Sequence, residues 1–124
     1  MLLLQDYLSH SAAHYGDKVA LVCGPHRVPY AELEARSNGL AHRLVDGGVA
    51  RGDRVFIFAE NTVETVVGFW AALKANAIAC VINPLTKPDK LAYLLNDCAP
   101  SALITDKVFS PECPSLRVIV FGSD

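Results

Sequence analysis

Residues 73–85, Leu-Lys-Ala-Asn-Ala-Ile-Ala-Cys-Val-Ile-Asn-Pro-Leu, constrain the fold of this chain more than any other stretch. The run begins as the end of an apolar helix, turns at Asn76, and continues as a short apolar strand from Ala77 to Ile82. Asn76 falls where a helix exit wants positive φ, and asparagine tolerates that conformation best after glycine. Asn83-Pro84 then ends the strand. A helix that turns straight into a buried apolar strand is a corner of an α/β sheet.

The same alternation extends in both directions. A first helix is expected over about Leu2 to Tyr15, with Leu4, Leu8, Ala12 and Tyr15 on one side and Gly16-Asp17 as its stop. Lys18–Cys23 reads as a strand, Gly24-Pro25 as a turn, and His26–Tyr30 as its hairpin partner. A long helix follows from about Ala31 to Asp46, its apolar face made by Leu33, Leu40, Ala41, Leu44 and Val45, with Gly47-Gly48 as a left-handed stop. Arg51-Gly52-Asp53 is a turn, and Arg54–Ala59 is a strand apolar on both faces, as parallel sheets require.

Asn61 and Glu64 form a capping-box pattern ahead of an apolar helix carrying Val63, Val66, Val67, Trp70 and Leu73. Thr86 is the expected cap of a further helix, with Pro88 and Asp89 in its first turn and Leu91, Leu94 and Leu95 inward. Asp97-Cys98-Ala99-Pro100 closes it. Ala102–Thr105 and Arg117–Phe121 are two more strands, and Asp106–Ser115 is mostly loop. The expected fold is α/β, a mostly parallel sheet flanked by helices with an early β-hairpin.

Composition narrows the function. A 52% hydrophobic content with a net charge of −2 excludes a disordered chain and gives nucleic acid no electrostatic foothold. The longest apolar run, Val66–Leu73, is far below the ~20 residues that span a bilayer, so no transmembrane segment is expected. A mean hydropathy of +0.28 is high for so small a domain, which points to apolar surface covered by further protein or a second copy of the chain. Leu2-Leu3-Leu4 has no basic lead-in and is broken by Asp6, unlike a signal peptide. Cys23, Cys80, Cys98 and Cys113 are irregularly spaced, as expected of reduced thiols in a cytoplasmic protein.

Candidate sites are few. Asp6, His10 and His14 share a helix stripe, but a structural zinc wants four ligands and no fourth is identifiable. Gly47-Gly48 and Gly52 lie between a helix and a strand, the reverse of a phosphate loop. Phe69 and Trp70 could line an acyl pocket, yet their helical spacing fits core better. Lys74 suits a helix C-terminus more than catalysis, and Cys80 has no neighbouring base to activate it.

Five landmarks in order carry a resemblance: Pro29-Tyr30-Ala31-Glu32-Leu33, Gly52-Asp53-Arg54-Val55, Glu60-Asn61 with Glu64, Leu73–Ala77 running on to Asn83-Pro84, and Thr105-Asp106. Together they resemble the start of the AMP-forming adenylating enzymes: acyl-CoA synthetases, peptide-synthetase adenylation domains and luciferases. Asn76 stands where that family usually has glycine. Asn83–Thr86 with Lys90–Asp97 is closer to the acyl-CoA ligases. The resemblance implies activation of a carboxylate as acyl-adenylate with ATP and Mg2+, then transfer to CoA or pantetheine, with an acyl carrier protein as one partner.

No Ser/Thr/Gly-rich loop ending in Pro-Lys occurs before Asp124, so residues 1–124 are expected to be an amino-terminal subdomain that stops short of the phosphate loop and is inactive alone. No catalytic, cofactor-binding or metal residue is therefore assigned, and the remainder of the enzyme is the expected partner. The alternatives are a non-catalytic α/β interaction or scaffold module, or an unrelated small nucleotide-binding α/β protein.

Overall fold

A computed structural model of the chain describes residues 2–106 and 116–120, the side chains of Arg117 and Val120 excepted. The elements run α1 (Leu4–Tyr15), β1 (Val19–Cys23), β2 (His26–Pro29), α2 (Tyr30–Asp46), β3 (Arg54–Phe58), α3 (Val63–Lys74), β4 (Ile78–Ile82), α4 (Pro88–Cys98), β5 (Ala102–Thr105) and β6 (Arg117–Val120). β1 and β2 pair antiparallel as a separate hairpin. The other four strands form one parallel sheet in the order β4-β3-β5-β6. The expected α/β class and hairpin are present. Phe121 and the loop at 107–115 lie outside the described residues.

The sheet divides two apolar clusters. On one face Val55, Ile57, Ala102, Ile104 and Ile119 pack with Val67, Ala71 and Ala72 of α3 and Leu33, Leu40 and Leu44 of α2. On the other face Phe56, Phe58 and Leu103 meet Leu91 and Leu95 of α4. Burial on both faces explains the continuous apolar text of β3 and β5. The hairpin joins the first cluster through Val28, Leu21 and Cys23. Two strands alone are marginal in water, so this packing is what holds them.

The exits of α3 and α2 behave as a left-handed stop requires. Asn76 has φ 62°, with the Asn76 amide donating to Leu73 O and the Ala77 amide to Ala72 O. Gly48 has φ 101°, with the same pair of bonds to Val45 O and Leu44 O. In each case two carbonyls of the last helical turn are satisfied before the chain leaves.

Several details differ from the sequence reading. α1 begins at Leu4 rather than Leu2, because the Asp6 carboxylate accepts the Leu3 amide (2.8 Å) and sets the start. Gly16 ends α1 with φ −55°, not a left-handed turn. Its value is room, since a Cβ there would sit 2.9 Å from Ala12 O. Val45 is exposed, and Ser37 takes the inward place on α2.

The cap of α3 is Thr62, not Asn61, without a side-chain capping bond; the turn is held by the Thr65 hydroxyl donating to Glu60 O. The covered face of α3 joins Val63 and Val67 to the small residues Gly68, Ala71 and Ala72, while Val66, Trp70 and Leu73 are half-buried. Small residues let the helix lie close to Ile57 and Ile104. α4 is preceded by Lys87 rather than Thr86, and Leu94 is only half-buried. β4 is not a buried strand: it lies at the sheet edge with Ile78 and Val81 exposed.

Candidate functional site

The chain leaves β3 through α3 to β4 on one side, then returns through α4 to β5 on the other side of β3. Its path reverses between β3 and β5, with α3 covering one face of the sheet and α4 the other. A crevice at the carboxyl ends of those two strands is where open α/β sheets bind ligands. Here that end carries Glu60 and Asn61 after β3 and Asp106 after β5. The Glu60 amide donates to Asp106 Oδ2 at 3.2 Å, closing the two connections together. Asn83, after β4, accepts the Leu85 amide at 2.9 Å in a local turn.

The charge there is wrong for polyphosphate. A helix N-terminus attracts phosphate through free amides and a positive dipole end. At α3 that end has Glu64 in its first turn, with Glu60 just before it and the Asp106 carboxylate on the Glu60 amide. Glu64 is itself shared with Arg36 at 3.7 Å, and Arg36 reaches Glu32 at 3.8 Å. The start of α3 is thus no phosphate site, and among the described residues no group of three or more His, Cys, Asp or Glu could hold a metal ion.

The amino end of the sheet is built differently. Asp53 accepts from the Ala50 amide (2.8 Å) and the Ser101 hydroxyl (2.7 Å), and these bonds hold its carboxyl below its ordinary pKa. The Gly52 amide donates to Asn76 O, the Ile78 amide to Asp53 O, and the Ser101 amide to Arg54 O. Arg54 Nη1 donates to Cys98 O (2.9 Å), satisfying an end carbonyl of α4. The Gly-Asp-Arg turn thus ties the starts of β3, β4 and β5 together. It is a structural knot.

The residues singled out from sequence fall into ordinary roles. Lys74 is largely buried and ion-paired to Glu34, with a 2.8 Å bond to Asn38 Oδ1 and one of 3.3 Å to Glu34 O. It fastens the end of α3 to α2 and faces a shallow groove of about 430 Å³ beside Gln5, Ser9, His42 and Val45. Phe69 and Trp70 stack edge to face at 5.5 Å against the first cluster. Burial pushes the Cys80 thiol up, with Cys98 adding and Arg54 opposing. His10 and His14 lie ring to ring at 4.3 Å, while Asp6 serves the Leu3 amide. Sequence reasoning missed the partners of Lys74. The signal was present in Glu34 and Asn38, a polar pair four residues apart on the same helix.

A family model described as AMP-binding enzyme matches residues 8–121. The chain belongs to the AMP-binding enzyme family. It is 32% identical to a medium/long-chain-fatty-acid–CoA/3-oxocholest-4-en-26-oate–CoA ligase of Mycobacterium marinum, over 99% of this chain and 24% of that protein. It is 39% identical to malpinin synthetase of Mortierella alpina, over 86% of this chain and 1% of that protein. Among solved structures, NpsA of Klebsiella oxytoca in complex with 3-hydroxyanthranilyl-AMSN superposes with a TM-score of 0.86 at 23% identity, covering 98% of this chain and 25% of NpsA.

This family member spans about a quarter of the ligase and superposes on about a quarter of NpsA. Three of the five sequence landmarks are legible as fold devices: Gly52–Val55 as the knot, Leu73–Ala77 as the helix exit, and Asp106 as the tie between β3 and β5.

Proposed function

We propose that this chain is the amino-terminal portion of an ATP-dependent, AMP-forming acyl-CoA or acyl-carrier ligase. In that reaction a carboxylate attacks the α-phosphate of ATP, giving acyl-adenylate and pyrophosphate; a thiol of CoA or carrier-bound pantetheine then displaces AMP. The observation that carries the proposal is the family match over residues 8–121 in a chain that spans 24% of its ligase relative. The acyl-CoA side is favoured by Asn83–Thr86 and Lys90–Asp97 and by the name of that relative.

Within such a ligase this portion supplies architecture. Adenylation needs groups that neutralise charge developing on phosphate in the transition state. Glu60, Glu64 and Asp106 supply the opposite sign beside the ends of β3 and β5, and Lys74 is committed to Glu34. We place the phosphate loop and catalytic lysine in the remaining polypeptide, and the whole protein in the cytoplasm, where ATP and CoA are present and thiols stay reduced. Among the described residues no helix is long and apolar enough to cross a membrane.

The test is pyrophosphate exchange. Residues 1–124 incubated with ATP, Mg2+, labelled pyrophosphate and a panel of carboxylic acids are expected to show none. The coding sequence beyond Asp124 is expected to continue in frame into a Ser/Thr/Gly-rich loop, and that longer product to exchange with at least one acid. Exchange by residues 1–124 alone overturns the supporting role, and a longer product inert with every acid overturns the ligase reading.

A further inference from the structure

α1 buries Leu8 and turns His10 and His14 outward, both of them exposed. The two histidines are four residues apart, so they stand one above the other on the same helix face. Their rings lie with centroids 4.3 Å apart and planes inclined at 43°. Among the described residues neither imidazole has a hydrogen bond or an ion pair, so no other group uses their ring nitrogens.

Two imidazoles held this way form a chelate. A first-row divalent ion bonds imidazole nitrogen at about 2.0–2.1 Å, which asks two such nitrogens to stand roughly 3 Å apart. Rings whose centres are 4.3 Å apart reach that separation by small side-chain rotations, with the helix backbone unmoved. Binding to the first ring presents the second at a high effective concentration. Water fills the remaining positions, so the ion is exchangeable and not a structural one.

The surroundings favour a cation. His14 lies in the last turn of α1, at the negative end of the helix dipole. Asp6, one turn before His10 on the same stripe, adds a carboxylate, whose Oδ2 accepts the Leu3 amide. Imidazole selects late first-row ions such as Ni2+, Cu2+ or Zn2+ over Mg2+ and Ca2+, which want oxygen ligands.

We propose that His10 and His14 form a two-histidine site for a late first-row divalent cation on the outer face of α1. The bound ion bridges the last two turns of the helix and secures them against fraying. Its chemistry is distinct from that of the Mg2+ of the proposed adenylation. Both ligands lie within one helix, so the inference rests neither on the ligase reading nor on what covers the sheet.

The probe is Ni2+ alone, added to the reduced 124-residue chain at about pH 8, above the ordinary imidazole range. Cu2+ is avoided because it oxidises thiols. Calorimetry is expected to give one ion per chain, with an isotherm that excess Mg2+ leaves unchanged. In 15N-histidine spectra the ring signals of His10 and His14 are expected to broaden first, while those of His26 and His42 persist. His10→Ala and His14→Ala are each expected to weaken binding by about 10²-fold, since either change leaves a single donor. His42→Ala leaves the affinity unchanged, and the far-ultraviolet circular dichroism of all three variants matches the parent.

A flat isotherm up to about 1 mM Ni2+ overturns the proposal. Four histidine signals that broaden together overturn it as well. So does an affinity that is indifferent to both α1 substitutions, or that falls with only one of them.

Discussion

The two ends of the central sheet are made of the same strands and serve opposite purposes. At the amino end, Asp53, Arg54 and Ser101, with backbone bonds from Gly52 and Ile78, join three strands to the end of α4, and Lys74 locks α3 to α2 nearby. At the carboxyl end, the Glu60 amide donates to Asp106 at 3.2 Å, one tie between neighbouring connections. The lesson is that bonds between residues far apart in sequence gather where β3, β4 and β5 begin.

The contrast is most exposed to failure at Lys74. Lys74→Ala leaves the Glu34 carboxylate largely buried without its partner, and urea unfolding is expected to show a loss of about 2–4 kcal/mol. A loss below about 0.5 kcal/mol would mean that water satisfies Glu34 and that the latch holds nothing. Arg54→Met keeps the aliphatic stem but removes the bond to Cys98 O, and is expected to cost about 1 kcal/mol in the same measurement.

Asp53→Asn sharpens the comparison through pH. Because the folded carboxyl titrates below its ordinary 3.8, its contribution is fully present above that value and fades as pH falls through the lowered one. The melting temperature of the parent chain should therefore exceed that of Asp53→Asn by a constant margin from about pH 5 to 7, and the margin should shrink below 3.8. A margin independent of pH down to 2.5 would assign the effect to packing.

The smallest expected effect lies at the other end. Asp106→Ala removes one exposed bond and is expected to shift stability by under about 0.5 kcal/mol. If it cost as much as Lys74→Ala, the two ends would not differ and the carboxyl crevice would be as rigid as the knot.

Local signals were legible where physics is local. The positive φ of Asn76, the bounds of β5 at Ala102–Thr105 and the hairpin around Gly24-Pro25 depend on a few neighbouring residues, and they appear as read. The capping sites at Asn61 and Thr86 were misread by one residue, because the Thr65 hydroxyl on Glu60 O and the position of Pro88 set those starts. On α3 the apolar pattern held at Val63 and Val67 but not at Val66, Trp70 and Leu73, for a different reason. A pattern of large apolar residues marks burial only when the helix stands off from its neighbour, and α3 approaches closely on Gly68, Ala71 and Ala72.

For the site, the sequence showed that residues 1–124 hold no Pro-Lys phosphate loop, but it did not show which end of the sheet is stitched and which is open. Asp53 and Ser101 are 48 residues apart, Arg54 and Cys98 are 44, and Lys74 and Glu34 are 40. No periodicity of 2 or 3.6 residues carries such a pairing.

By itself the amino-acid text determined the alternation of helices and strands, their turns, and the kinship of the chain, since backbone preference and apolar spacing act within a few residues. Tertiary structure alone decided that β3 is central and β4 an edge, although both read as short apolar strands. The reason is that strand order follows from which helices cover which face once the chain has crossed over. Exposure of a strand is then a property of its neighbours, not of its residues.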